Sequence, residues 1–182
     1  TMPPVGLLYI AACLRKTLGA EVRLLDAMFE PDILKLVGEE IRRKRPDAVG
    51  ISALTAEAFL ARRISAAVKA ADPSIPVVMG GPHASSDPEA VLGDPATDAV
   101  VIGEGEETFT ELVRLISEEG PRWNEPETLR GIAGLAVRGK AGVEYTAPRP
   151  LIEDLDSLPF PAWALIDYKK FWRTGGMATV GI

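Results

Sequence analysis

The feature that most constrains the fold of this chain is the alternation of short apolar runs with longer amphipathic segments. The apolar runs have the length of strands and cover residues 21–26, 47–52, 75–79 and 99–102. Apolar residues spaced three and four apart predict helices over residues 6–18, 33–45, 56–71 and 106–118. This order is typical of a parallel sheet whose two faces are covered by helices.

Local signals support the predicted helix ends. Gly19 follows the first helix, Asp32 stands where the second helix needs an N-cap, and Asp72-Pro73 ends the third. In that third helix the side chains predicted to face the core are Leu60, Ile64, Ala67 and Val68.

The pattern changes after residue 120. Residues 132–138 and 143–146 flank a glycine-rich turn and predict a β-hairpin. The proline-rich segment 148–161 then predicts an extended linker. A short helix over residues 163–172 and a strand over residues 177–182 are expected last. We therefore divide the chain into an α/β domain (1–120), a hairpin extension (121–150) and a linker (151–182).

The predicted fold class is α/β, a flavodoxin-like or Rossmann-like doubly wound parallel sheet. Such a sheet normally has a strand before its first helix, and this sequence opens with the helix. We expect that the chain is truncated and that another segment fills the resulting gap. Residues 177–182, a partner chain or a preceding strand are the candidates.

Charge and composition narrow the class of protein. The net charge is −6, and the longest basic run is the four residues Arg42–Arg45 at a predicted helix end, which argues against binding to nucleic acid. The single cysteine, Cys13, lies in an apolar helical stretch and fits a reducing cytoplasm. No apolar run approaches the ~20 residues of a membrane span.

The candidate binding site lies in the loops at the carboxyl ends of the predicted strands, where open α/β sheets bind ligands. These loops begin at Ser52, Gly80 and Gly103, with a further loop before the first helix. No phosphate-binding loop is present, and acidic residues crowd the helix that follows Gly103. The expected ligand is therefore large and mostly uncharged.

The same loops carry a family resemblance. Ser52-x-Leu54 and Gly80-Gly81 resemble elements of cobalamin-binding domains. The opening Pro3-Pro4-Val5-Gly6-Leu7, together with Gly80-Gly81-Pro82-His83 and Gly103-Glu104-Gly105-Glu106, is similar to cobalamin-dependent radical S-adenosylmethionine enzymes. The proline-rich segment from Pro148 to Pro161 fits the same group. The resemblance implies a set of cofactor contacts: Pro4, Gly6, Leu7, Ser52, Ala53, Leu54, Thr55, Gly80, Gly81, Pro82, His83, Gly103, Glu104 and Gly105.

The resemblance also implies how the cofactor is held. The D-x-H-x-x-G element of other cobalamin domains, counted back from Gly6, has Thr1 and Pro3 at its aspartate and histidine positions. A base-off cobalamin without a histidine ligand is therefore expected. S-adenosylmethionine and a 4Fe-4S cluster are expected only in a radical barrel of the same parent chain. The implied chemistry is methyl transfer or ring formation of the magnesium-porphyrin cyclase kind.

Purely structural interpretations stay open for single residues. The only histidine, His83, fits a hydrogen bond to the cofactor or to the barrel, or a loop histidine bonded to backbone. Cobalt ligation by His83 is a weaker alternative, because the matching ligand position is Pro3. The hydroxyls of Ser52 and Thr55 fit caps of the next helix equally well. For the whole domain the alternative is an interaction module that keeps the fold without cobalamin. A receiver or nucleotide-binding domain fits poorly, because the acidic pocket and phosphate loop of those classes are missing.

Overall fold

The computed structural model describes residues 2–173, and within them five strands form one mixed sheet in the order β1-β2-β3-β4-β5. The strands are β1 (Val49–Ser52), β2 (Val77–Gly80), β3 (Ala99–Val101), β4 (Leu135–Arg138) and β5 (Val143–Tyr145). The first three run parallel, β4 pairs antiparallel with β3, and β5 pairs antiparallel with β4. The predicted hairpin is therefore part of the main sheet.

Helices precede, connect and follow the strands along the described part of the chain. They are α1 (Val5–Leu18), α2 (Ile33–Lys44), α3 (Ala58–Ala71), α4 (Gly81–Ser86), α5 (Pro88–Leu92), α6 (Gly105–Glu119), α7 (Pro126–Leu129) and α8 (Lys169–Arg173). The four predicted helices are all present, and their ends differ from prediction by only one or two residues. The α/β class is confirmed.

Two apolar clusters show that both faces of the sheet are buried. On one face Val78 and Val101 pack with Leu112 of α6. On the other, Met79 and Val100 pack with Ala61 of α3 and with residues of α4 and α5. Neighbouring positions of one strand point to opposite clusters, as the two-residue repeat of a strand requires.

The prediction of a strand over residues 21–26 is wrong. These residues form no strand, and Asp26 instead starts a turn, its carboxylate accepting from the Met28 N–H and its carbonyl from the Phe29 N–H. A strand exists only through hydrogen bonds to a neighbour, and within the described residues no strand pairs with this segment. Within residues 2–173, β1 is an edge strand, because it pairs only with β2.

Other local predictions need smaller corrections. The loop predicted after Gly80 is helix α4. Asp32 stands before α2 but makes no side-chain cap. The helix predicted over 163–172 is split into a 3-10 turn at Trp163–Leu165 and α8, with extended backbone at Ile166 between them. The strand predicted over 177–182 lies outside the described residues.

The chain divides into two compact units. One comprises Asp32–Glu153 and holds the whole sheet and both apolar clusters. The other combines the residues up to Pro31 with those from Asp154 onward. In this second unit the Ala162 N–H donates to the Leu8 carbonyl of α1, and the rings of Phe29 and Phe171 meet edge to face at 4.8 Å.

Candidate functional site

The candidate site lies where the parallel strands β1, β2 and β3 end. The register places Ser52, the last residue of β1, beside Gly80, the last residue of β2. The Ala53 N–H then donates to the Gly80 carbonyl at 3.4 Å, and the His83 N–H donates to the Ala53 carbonyl at 3.2 Å. The two loops predicted to share a ligand are therefore hydrogen-bonded side by side.

Gly81 is where these loops approach most closely. Its φ is +85°, and a Cβ atom on it would lie 2.6 Å from Ser52 Oγ and 3.3 Å from the Ala53 nitrogen. Only glycine adopts this conformation without strain and leaves room for Ser52. Gly80 is different, because its φ is −142° and its nearest would-be contact is Val101 Cβ at 3.7 Å.

The hydroxyls of Ser52 and Thr55 do not cap the following helix. The backbone after β1 turns through a 3-10 segment at Thr55–Glu57, and it is Glu57 whose carboxylate accepts from the Leu54 N–H at 2.9 Å. Within residues 2–173 no hydrogen bond involves the side chain of Ser52, Thr55 or His83. Ser52 and Thr55 are exposed and His83 is half-buried, so all three remain able to contact a ligand.

Apolar surface accompanies these polar groups. Ala53 is buried in the core cluster, whereas the neighbouring Leu54 is 54 % exposed. Pro82 is also exposed, at the first turn of α4. The mixture of free hydroxyls, exposed apolar groups and glycine backbone suits a large ligand with few charges.

The loop after β3 is joined to the same edge by Ser85, which the predicted contact set omits. Its hydroxyl accepts from the Gly103 N–H at 3.0 Å. Ser85 lies in helix α4 beside the buried Ala84 and about one helical turn after Gly81. The prediction of a loop over these residues hides this helical spacing. The hydrogen bond to Ser85 places Gly103 next to α4, whereas the Glu104 carboxylate accepts from the Ile152 N–H at 2.7 Å.

The remaining predicted contacts belong to the other compact unit. Pro4, Gly6 and Leu7 form the start of α1, where the Leu8 N–H donates to the Pro4 carbonyl at 3.1 Å. Gly6 is exposed, and a Cβ atom on it would meet nothing within 4 Å. Their contact with a cofactor stays a prediction.

The described residues offer neither a cluster of metal-binding side chains nor a membrane-spanning helix. No group of three or more histidine, cysteine, aspartate or glutamate side chains could hold a metal ion there. No helix in residues 2–173 is long and apolar enough to cross a bilayer.

Comparison with known families agrees with the geometry of the strand ends. The model of the B12 binding domain matches residues 1–113. This chain belongs to the B12-binding domain family. Cobalamin is thus the cofactor of the family, and the small, exposed groups around Ser52 and Gly81 fit a ligand of that size.

Two relatives of this B12-binding domain are longer proteins. It is 35 % identical over 176 residues to the uncharacterized methyltransferase PH0819 of Pyrococcus horikoshii, covering 96 % of this chain and 36 % of that protein. It is 33 % identical over 170 residues to the anaerobic magnesium-protoporphyrin IX monomethyl ester cyclase of Rubrivivax gelatinosus, covering 93 % of this chain and 30 % of the cyclase. The domain therefore spans about a third of each relative.

Solved structures show the same fold. The radical S-adenosylmethionine methyltransferase TsrM from Kitasatospora setae, with cobalamin and a [4Fe-4S] cluster bound, superposes with a TM-score of 0.68 at 25 % identity, over 88 % of this chain and 29 % of TsrM. The cobalamin-dependent radical enzyme OxsB, with aqua-cobalamin and S-adenosylmethionine bound, gives 0.74 at 19 % identity, over 89 % of this chain and 22 % of OxsB. The latter likeness concerns the fold alone.

Proposed function

We propose that this B12-binding domain holds cobalamin in a base-off state without a histidine ligand, for a radical S-adenosylmethionine enzyme. The observation that carries the proposal is the paired strand-end loops, in which Gly81 backbone packs on Ser52 and leaves an edge of small groups. The cobalamin supplies the cobalt chemistry when bound. The residues of this chain bind it, orient it and keep water from it.

The parent enzyme is proposed by analogy with longer relatives. A methyltransferase and a cyclase both match over nearly all of this chain, so methyl transfer and ring formation both remain candidate reactions. We place the cluster and S-adenosylmethionine in a barrel of the same parent chain. A cytoplasmic location also stays a proposal, based on the single buried Cys13.

The cofactor contacts are proposed to centre on the ends of β1 and β2. Ser52, Thr55 and His83 offer polar groups, and Leu54 and Pro82 offer apolar surface, beside the backbone of Ala53, Gly80 and Gly81. The resemblance also assigns Pro4, Gly6, Leu7, Gly103 and Gly105 to the cofactor contacts. His83 is assigned a hydrogen bond to the cofactor and no bond to cobalt.

Titration of the purified chain with hydroxocobalamin, followed by desalting and a visible spectrum, tests this function. We expect retained cobalamin with a base-off spectrum. His83→Ala is expected to keep that spectrum, because a hydrogen bond to the cofactor is not a cobalt ligand. A base-on spectrum, or one that changes in His83→Ala, would contradict the proposed coordination. Failure to retain cobalamin would favour the interaction module.

A pair of glycine variants tests the site. Gly81→Ala displaces Ser52 and strains the backbone, and we expect it to lower stability by about 1–2 kcal/mol and to weaken cobalamin binding. A Cβ atom on Gly80 would make only ordinary contacts within the protein, so Gly80→Ala is the matched control for stability. Ser52→Ala, at an exposed position, is expected to weaken binding while the urea unfolding curve stays unchanged. Equal affinities in wild type and in both Gly81→Ala and Ser52→Ala would place the site elsewhere.

A further inference from the structure

The acidic loop and helix start after β3 hold the chain that leaves the sheet. Glu104 precedes α6, and its carboxylate accepts from the Ile152 N–H at 2.7 Å. Residues 148–152 form the proline-rich exit segment, which ends next to the boundary between the two compact units at Glu153. A loop expected to face the cofactor thus uses its carboxylate on the polypeptide itself.

Arg149 makes the second attachment of the exit segment. Its side chain is only 11 % exposed, and its guanidinium donates to Glu107 at 2.8 Å and to Glu111, both on α6. Its Nε donates to Thr108 Oγ1 at 2.6 Å. A planar guanidinium with fixed donors is well suited to hold a segment in one orientation.

Backbone contacts surround these side chains. The buried Thr108 hydroxyl donates to the Ala133 carbonyl at 3.0 Å, and the Gly134 N–H donates to the Ala147 carbonyl at 2.8 Å. A Cβ atom on Gly134 would lie 2.9 Å from Thr108 Oγ1 and 3.2 Å from Arg149 Cβ. The exit segment is therefore seated closely against the sheet and α6.

We propose that Glu104 and Arg149 are positioning residues, which dock the exit segment 148–152 so that the chain leaves at a fixed place beside the cofactor edge of the sheet. Gly103 lies between the docked segment and the proposed cofactor site. Its N–H donates to Ser85 of α4, the helix that follows the end of β2. This attachment of residues 148–152 to Glu104 and α6, called the dock below, goes beyond cobalamin binding and does not depend on it. It assigns Glu104 to the polypeptide rather than to the cofactor.

Amide hydrogen exchange at Ile152 in the 182-residue chain tests the dock. Glu104→Ala removes the acceptor, and we expect exchange of the Ile152 amide to accelerate by about tenfold or more. Glu104→Gln keeps a carbonyl acceptor and is expected to restore most of the protection. Glu106→Ala removes the same charge from the first turn of α6 and is the matched control, expected to leave Ile152 unchanged.

Arg149→Met tests the dock from the side of the exit segment. Methionine keeps an apolar side chain in place of the arginine stem. Glu107 and Glu111 lose their ion-pair partner in this variant, and both are exposed enough to be hydrated. Exchange at Ile152 is expected to accelerate in this variant and not in Arg114→Met, an exposed arginine of the same helix. Protected amides of β3 serve as the internal check that each variant is folded.

Cobalamin affinity separates this proposal from the preceding one. We expect Glu104→Ala to change the hydroxocobalamin Kd by less than about threefold. Unchanged Ile152 exchange in both Glu104→Ala and Arg149→Met would overturn the dock. A larger loss of cobalamin affinity in Glu104→Ala would instead overturn the assignment of Glu104 to the polypeptide and return it to the cofactor contacts. If the wild type binds no cobalamin, the exchange measurements still decide the dock.

Discussion

At the scale of single residues, two buried threonines show that the surroundings of a hydroxyl decide whether it stabilises the fold. Thr97 and Thr108 are both fully buried. Within the described residues Thr97 Oγ1 has no hydrogen-bond partner, whereas Thr108 Oγ1 donates to Ala133 and accepts from Arg149. A buried hydroxyl without a partner costs free energy, and a satisfied one stabilises the fold.

We therefore expect opposite effects from one substitution at these sites. Thr97→Val should raise the free energy of unfolding by about 1 kcal/mol, because it removes an unpaired polar atom and keeps the shape. Thr108→Val should lower it by about 1–3 kcal/mol, because Arg149 loses an acceptor. Urea unfolding of both variants measures the difference. A Thr97→Val protein that is less stable than wild type would show that this hydroxyl is paired.

Backbone conformation separates two glycines that the sequence treats alike. The sequence places both Gly80 and Gly81 in a ligand loop, and only the structure shows that Gly81 has a positive φ and approaches Ser52 closely. Glu104 was predicted as a possible acceptor for cofactor groups, and its visible partner is the Ile152 N–H. That partner lies 48 residues away, and no local pattern encodes such a pair.

At the scale of elements, a charged side chain after one helix is bonded to a neighbouring helix. Asp94, after α5, accepts from the Ala96 N–H and from the Arg62 guanidinium of α3, each at 3.0 Å. Burial acts to raise the pKa of Asp94, but these two contacts outweigh it and hold the pKa below the ordinary value of 3.8. The charged form of Asp94 is therefore favoured in the folded state.

The pH dependence of stability should reveal this carboxylate. Because its folded pKa is lowered, its contribution is complete well above pH 3.8 and is lost as the pH falls through the folded value. We expect Asp94→Asn to be less stable than wild type at pH 7 and equal to it at the acid end. The exposed Arg62 keeps the difference to about 1 kcal/mol or less.

Urea unfolding across the acid range measures this effect, with Asp47→Asn, an exposed aspartate, as the control. A constant difference between wild type and Asp94→Asn down to the lowest pH would refute the assigned role of the charge. Added salt should reduce the difference, since part of it is an ion pair with a solvent-exposed arginine.

Elements also show the limit of periodicity. The pattern placed Leu60, Ile64, Ala67 and Val68 of α3 toward the core, but the buried residues are Ala61, Ser65 and Val68. The fully buried Ser65 is tolerated because its hydroxyl donates to the Ala61 carbonyl. Small residues let α3 pack closely, so close packing outweighed hydrophobicity in selecting the buried face.

At the scale of the whole molecule, the sheet and both apolar clusters belong to one compact unit. We expect residues 32–153, expressed alone, to unfold in urea as a single cooperative transition, with an m-value of about 1–3 kcal/mol/M. Circular dichroism and tryptophan fluorescence, the latter from the buried Trp123, should report the same midpoint. Different midpoints, or no transition, would show that the rest of the chain is needed for the fold.

The sequence by itself determined the α/β class, the three parallel strands, the hairpin and the location of the strand-end loops. These follow from local physics, since apolar periodicity, turns and glycines act within a few residues. Only the tertiary structure decided that residues 21–26 form no strand, that the hairpin joins the sheet, and that Glu104 and Arg149 hold the exit segment. Each of these depends on which distant group supplies the hydrogen-bond partner, and chain folding alone brings those groups together.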